Sequence, residues 1–208
     1  MTKRSVGVVD SNICNLTSVL NALKLLDVDA KTCKDPQSLE GHSHLILPGV
    51  GSYSKGMETL RISGLEQAIL AAAKKGTPVL GLCLGVQLLA ERGTEFGSTP
   101  GLALVPGVVT RLEPSSPTFR VPHIGWNEVS TVRDSILFRD MPDNPASFYF
   151  VHSFGFADTR APAVCALTDH GGPVVVAVEK DNVFGVQFHP EKSQRCGLAL
   201  LRNFVTRC

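Results

Sequence analysis

Cys83 stands between two glycines, in Gly81-Leu82-Cys83-Leu84-Gly85, where the apolar run TPVLGL gives way to the helix-patterned LGVQLLAE. A thiol on a sharp strand-to-helix turn has the form of a nucleophile elbow. The flanking glycines let strand and helix pass close together, and the turn holds the nucleophile in a strained conformation above the carboxyl ends of the strands. The helix start that follows favours a thiolate and leaves backbone N–H groups free for a developing oxyanion. A cysteine that merely packs as a small hydrophobe needs none of this context.

Such a nucleophile needs a base, and the base an orienting group. His189 and Glu191, in FGVQFHPEKS, lie two apart at the end of an apolar run. If the chain stays extended through Pro190, both side chains point to one face, imidazole beside carboxylate. His189 then exchanges a proton with Cys83 while Glu191 sets its tautomer. His152, in YFVHSF, and His123, in VPHIGW, compete as core or pocket histidines, and His42, His44 and His170 sit beside predicted loops. Spacing alone leaves the choice between His152 and His189 open. A third requirement is a place for the oxyanion. In LPGVGSYSKGM, Gly49 and Gly51 flank Val50 in a flexible loop at a strand's end that can turn an N–H toward a reacting carbonyl; the same glycines also suit an ordinary strand-to-helix turn.

The elements that must position these groups follow from the periodicity. SVGVVD reads as a strand, and NLTSVLNALKLLD as a helix with Leu16, Val19, Leu20, Leu23 and Leu26 on one face. HLILPG is a second strand, GLEQAILAAAKKG a helix stopped by Gly76, and TPVLGL a third strand. This repetition predicts parallel strands joined by helical crossovers. After Gly93 the pattern changes to short runs broken by Pro and Gly: ALVPGVVTRL, VPHIGWNEVS, SFYFVHSF, AVCALT and PVVVAVEKDNVFGVQF. These predict antiparallel strands, with Lys180-Asp181-Asn182 as a hairpin turn, EPSSPTFRVP as a surface loop and GLALLRNFV as a closing helix. The expected fold is α/β, a three-layer, mostly parallel sheet flanked by helices, with added antiparallel strands in the C-terminal half. A single domain over residues 1–208 is expected, since 208 residues with 43% hydrophobic content suit one core of ordinary size.

A net charge of +1, from 20 basic and 19 acidic residues, provides no basic stripe for nucleic acid and no polybasic membrane anchor. The segment MTKRSVGVVDSN has only a strand-length apolar run, too short for a secretory leader, and no segment approaches membrane-spanning length. A cytoplasmic protein is therefore expected. The six cysteines, Cys14, Cys33, Cys83, Cys165, Cys196 and Cys208, form no CxxC pair and no zinc-type cluster. Neither a disulfide framework, a metal nor a cofactor is predicted.

With these motifs in hand, the chain resembles a class I glutamine amidotransferase, most closely the glutaminase-subunit family of imidazole glycerol phosphate synthases. The resemblance runs through VVDSNICNLTSVLNAL, LPGVGSYSKGM, GLCLGVQLLAERGTE, VPHIGWNEV, FYFVHSF and VAVEKDNVFGVQFHPEKS. It implies a triad of Cys83, His189 and Glu191, with Cys83 attacking the side-chain amide of glutamine and His189 protonating the departing ammonia. Water then hydrolyses the glutamyl thioester. The resemblance further implies an oxyanion hole from the N–H of Leu84 and the Val50-Gly51 peptide, and glutamine held by Gly51, Gln87, Glu95, His152 and Ser153. Because ammonia released into water is protonated and lost as a nucleophile, a shielded route to an acceptor is needed. The family docks on a separate (β/α)8 cyclase as a heterodimer. That cyclase makes imidazole glycerol phosphate and an aminoimidazole carboxamide ribotide in histidine biosynthesis. Lys192, Trp126, His123 and Asn12 take the positions expected at that interface.

The chain departs from the family pattern at Asp10-Ser11-Asn12-Ile13-Cys14-Asn15, which lacks the usual glycines, and at Phe154, where tyrosine is common. Neither change touches the triad, so the acceptor enzyme is the more open part of the reading. The alternatives are a paralogous ammonia-supplying subunit for another synthase, such as a surface-sugar amidating enzyme, and a stand-alone cysteine hydrolase of the same fold.

Overall fold

The computed structural model describes residues 4–10 and 16–208. Asn12, assigned above to a partner interface, lies outside the described residues. The N-terminal half alternates strand and helix: β1 (Ser5–Val9), α1 (Leu16–Leu25), β2 (Asp29–Cys33), β3 (His44–Gly49), α2 (Tyr53–Ile62), α3 (Leu65–Lys74), β4 (Val79–Cys83) and the short α4 (Leu84–Leu88). Mostly strands follow: β5 (Arg92–Gly93), β6 (Thr99–Pro100), β7 (Val108–Arg111), β8 (His123–Thr131), β9 (Ala146–His152), β10 (Phe154–Phe156), β11 (Val164–Asp169), β12 (Pro173–Lys180) and β13 (Val183–Val186). Helix α5 (Gln194–Arg207) closes the chain.

The main sheet has nine strands in the order β2-β1-β3-β4-β13-β12-β11-β8-β9. The first five are parallel and the remaining pairings antiparallel. A second, four-stranded sheet, β10-β7-β5-β6, stands beside it. Alternation along each strand feeds two cores. In β3, Leu45 and Leu47 pack with α2 and α3 residues such as Leu60 and Ile69, whereas Ile46 faces Leu23 of α1 and Phe204 of α5. Helices therefore cover both faces of the parallel half, giving the three layers expected.

The hairpin at Lys180-Asp181-Asn182 forms as predicted, with Lys180 opposite Val183 and Asp181 at φ 52°. This turn brings β13 back to pair with β4 in parallel, Val183 beside Val79 and Val186 beside Leu82. Strand β2 was not anticipated, because Asp-Ala-Lys-Thr-Cys on the sheet edge is half polar and half exposed. Helix α2 begins inside the segment read as a glycine loop. Its Tyr53, Met57 and Leu60 are buried one turn apart, a helical stripe obscured in sequence by Ser and Gly.

Candidate active site

Parallel strands deliver their carboxyl ends to one edge of the sheet, and three of them meet at Cys83. Gly49 pairs with Cys83 on one side, and the residue after β13, Gln187, follows the Val186–Leu82 pair on the other. Cys83 itself adopts φ 54° and ψ −110°. For a non-glycine residue this conformation costs roughly 1–3 kcal/mol and persists only where surrounding packing holds it. That packing comes from α4, whose five residues are all buried. A helix this short has no stability of its own in water, so contact with β3 and β4 must maintain it. A Cβ on Gly81 would lie 2.7 Å from the backbone of Gly85 and Val86, which is why strand and helix can fold back so tightly here.

A cleft of about 830 Å³ opens over the elbow. Its lining includes Val50, Gly51, Cys83, Leu84, Gln87, Glu95, His152, Ser153 and His189, so residues as far from the cysteine in sequence as Val50 and His189 share one space with it. Gly51 has φ 96° and Val50 is 43% exposed, so the Val50-Gly51 peptide sits in an open loop at the cleft wall. The first N–H groups of α4, beginning with Leu84, have no intrahelical acceptor and lie at the same wall. A second cleft of about 480 Å³ lies beyond Arg111, toward Gly171 and Gly172, and is lined by no cysteine.

His189 and Glu191 do meet, but not by the extended geometry expected. Residues Pro190–Lys192 form a 3-10 turn, with proline at its start, that folds Glu191 back under the imidazole. His189 Nδ1 lies 2.7 Å from Glu191 Oε1, both side chains nearly inaccessible. The turn is pinned by the His189 N–H donating to the Tyr149 carbonyl, and by Ser193 Oγ, which donates to the His189 carbonyl and accepts from the Tyr149 N–H. With Nδ1 committed to the carboxylate, Nε2 is buried and has no protein hydrogen-bond partner of ordinary geometry. Burial pushes the imidazole pKa down, but interaction with Cys83 and then with Glu191 outweighs it and lifts the pKa to about 9.

The competing histidine is resolved by its bonds. His152 Nδ1 lies 2.9 Å from the Phe154 carbonyl oxygen, which can only accept, so Nδ1 carries the proton and Nε2 is an acceptor. His123 Nδ1, 3.0 Å away, must then donate to it, and Asn127 Nδ2 donates to His123 Nε2 at 3.3 Å. Both rings are thereby held neutral. Burial pushes His152 down to about 4 and His123 to about 3. His152 therefore lines the cleft but has no nitrogen left to serve Cys83. His170 stacks on His123 at 4.1 Å, His42 bonds Ser5, and His44 is buried at the far end of β3.

The shifts have opposite consequences for stability. His189 is raised from its ordinary 6.5, so its contribution is complete below pH 6.5 and is lost as pH rises toward about 9. His152 and His123 are depressed, so theirs is complete above pH 6.5 and is lost as pH falls toward about 4 and about 3. Denaturant midpoints measured across pH should fall on both sides of neutrality. His189→Gln should flatten only the alkaline limb and His123→Gln only the acid limb; an alkaline limb unchanged by His189→Gln would contradict this account.

The remaining residues are placed as follows. Glu95 reaches the cleft, and its Oε2 accepts the Tyr53 N–H at 2.7 Å, at the start of α2. Trp126 is half exposed on β8, edge-on to Tyr149 of β9, with the exposed Lys192 Nζ 5.8 Å from the Tyr149 ring. His123, grouped above with the interface positions, is instead buried. Alternate residues of β8 face opposite ways, and His123 shares the inner face with Asn127 while Ile124 and Trp126 point out. Sequence reasoning missed Gln187 and Tyr149. A polar residue inside the apolar run VFGVQF was the available signal for the first; the cross-strand pairing of Tyr149 with Trp126 left none for the second.

The elbow, the buried imidazole–carboxylate pair and the parallel sheet beneath them have the arrangement of a cysteine-nucleophile site. The family model for class-I glutamine amidotransferase matches residues 7–208, and the chain belongs to that family. Among its relatives, imidazole glycerol phosphate synthase subunit HisH of Caulobacter vibrioides is 44% identical over 209 residues, covering 97% of this chain and 98% of the relative. The protein of the same name from Symbiobacterium thermophilum is 44% identical over 199 residues, covering 96% and 92%. A solved structure of PurLQS from Thermotoga maritima shares the fold, with a TM-score of 0.77 at 19% identity and 99% of both chains covered.

Proposed function

We propose that this chain is the glutaminase subunit of an imidazole glycerol phosphate synthase. As a single amidotransferase domain, it hydrolyses glutamine to glutamate and passes ammonia to a (β/α)8 cyclase partner. The observation that carries the glutaminase chemistry is the buried Glu191–His189 pair beside Cys83 in one cleft. The synthase assignment is supported by the near-full-length relatives of that name.

In the reaction, the Cys83 thiol proton passes to His189 Nε2 and the sulfur attacks the side-chain carbonyl carbon of glutamine. The N–H groups of Leu84 and of the Val50-Gly51 peptide receive the oxyanion. His189 then returns the proton to the amide nitrogen as the C–N bond breaks, releasing ammonia and leaving a thioester. Water, deprotonated by His189, attacks the thioester and frees glutamate and the thiol. Glu191 holds the ring and balances its charge throughout.

Substrate recognition follows from what each polar group has left to offer. Both N–H bonds of Gln87 are used, toward the Phe154 carbonyl and Gln187 Oε1, so Gln87 presents an oxygen to the cleft. Glu95 likewise presents a carboxylate. Two acceptors lining one cleft suit the α-ammonium group of glutamine, and Gly51, His152 and Ser153 line the same cleft.

The outward face of the β8–β9 ribbon supports the docking assignment. Ile124 pairs with Val151 and Trp126 with Tyr149, and Ile124, Trp126 and Val151 are 59%, 50% and 38% exposed, with Lys192 at the margin. Val151 also lines the cleft, so a barrel seated on this face sits next to the site where ammonia forms. Among the described residues, no helix is long and apolar enough to cross a membrane.

The test is glutamate release by the chain alone and with the histidine-pathway cyclase and its nucleotide ligand. Turnover should rise by on the order of tenfold or more in the complete mixture, because an oxyanion hole completed by movement of the open Val50-Gly51 peptide couples hydrolysis to the acceptor. Equal rates with and without partner and ligand would overturn the partner assignment.

A further inference from the structure

Gln187 is 2% exposed and directly follows β13, so the register that sets Val186 against Leu82 brings its side chain to Cys83. The direction of its amide is dictated from a distance. The Phe154 carbonyl oxygen can only accept, so the Gln87 nitrogen, 2.8 Å away, must face it. The same nitrogen lies 3.0 Å from Gln187 Oε1, which fixes that atom as the oxygen. Gln187 Nε2 therefore turns toward Cys83 Sγ, at 3.9 Å. A single backbone carbonyl thus orients two chains of hydrogen bonds, one through His152 and one through Gln87 and Gln187 to the nucleophile.

The sulfur has different partners in its two states. As a thiol it donates toward the Val151 carbonyl at 3.9 Å; as a thiolate it repels that oxygen and needs donors. The titratable and charged groups around it are His189 and Glu191, from the turn after β13, and His152, Glu95 and Arg111 in the walls of the cleft. Gln187 adds a donor that cannot titrate and stays in place whichever way the His189 proton has gone. At 3.9 Å a neutral thiol accepts weakly, while an anionic sulfur draws the N–H closer and makes the stronger bond.

We propose that Gln187 is a further catalytic residue, donating its Nε2–H to the Cys83 thiolate before attack and again when the sulfur leaves the thioester, with Gln87 as the positioning residue that aims it. This rests on the glutaminase reading of the cleft. Gln187→Met keeps the length of the side chain and removes the donor. Alkylation of Cys83 by iodoacetamide at neutral pH should fall about tenfold, its pH profile should move to higher pH, and kcat should fall while KM for glutamine changes little. A parent-like alkylation profile in a folded Gln187→Met chain would overturn the proposal. A measurement on the unsubstituted chain guards against misfolding. With side-chain amides labelled with nitrogen-15, one glutamine N–H resonance should move downfield as Cys83 ionises and should stay still in Cys83→Ala; no such resonance would also overturn it. Cys83 that alkylates no faster than an ordinary thiol, with no Cys83-dependent glutamate release, would instead defeat the glutaminase reading itself.

Discussion

Replacing Cys83 with alanine is expected to abolish glutamate release, by on the order of ten-thousandfold or more, while the complex continues to make product from added ammonium. The loss is large because no other thiol faces the cleft, and neither of the two hydroxyls that line it, Thr94 and Ser153, is paired with a base as Cys83 is with His189. Ammonium-dependent synthesis should persist because the substitution removes one small buried side chain and leaves the ribbon of Ile124, Trp126 and Val151 untouched. Alanine inherits the positive φ of Cys83 but not its partners, so the cost in stability should stay within about 1–2 kcal/mol. Parallel assays of glutamate release and of ammonium-dependent product formation check both halves. Loss of both activities in a folded complex would mean that Cys83 does something other than generate ammonia.

The parts of this site that could be read in advance are those written within one short window. Gly81-Leu82-Cys83-Leu84-Gly85 carries its own geometry, because the two glycines and the change of periodicity all act within five residues. The βα units of the first half were legible for the same reason, since each strand or helix declares its period locally. What could not be read are relations across the chain. The choice of His189 over His152 depends on β13 pairing with β4, a contact spanning 104 residues between Gln187 and Cys83, and on a carbonyl at Phe154 that has no side-chain signature. Glu191 was placed beside His189 for an incorrect reason, since the proline starts a tight turn and does not prolong the strand. The burial of His123 was hidden because the strand's inner and outer faces differ by one position, and nothing in VPHIGWN says which face is which.

Gly85→Ala is expected to be among the most damaging single-methyl changes in the protein. A Cβ at this position would lie 1.7 Å from the Leu47 carbonyl oxygen and 2.9 Å from its carbon, both backbone atoms of the central strand β3. Neither can swing aside as a side chain could, so α4 must lift from the sheet. That helix is entirely buried, and it carries both the Leu84 N–H and the Gln87 amide. The expected cost is about 4 kcal/mol or more, a large part of the roughly 5–15 kcal/mol that holds a typical domain together. Gly76→Ala provides the comparison. Gly76 ends α3 at φ 87° with open space around it, so alanine there meets only backbone strain of about 1 kcal/mol. Denaturant unfolding of the two variants separates conformational strain from collision, since both lose a glycine and only one drives a methyl into backbone. If Gly85→Ala unfolds no more readily than Gly76→Ala, the close passage of α4 over β3 is not what holds Cys83 in its strained turn, and the elbow must be maintained from the β13 side alone.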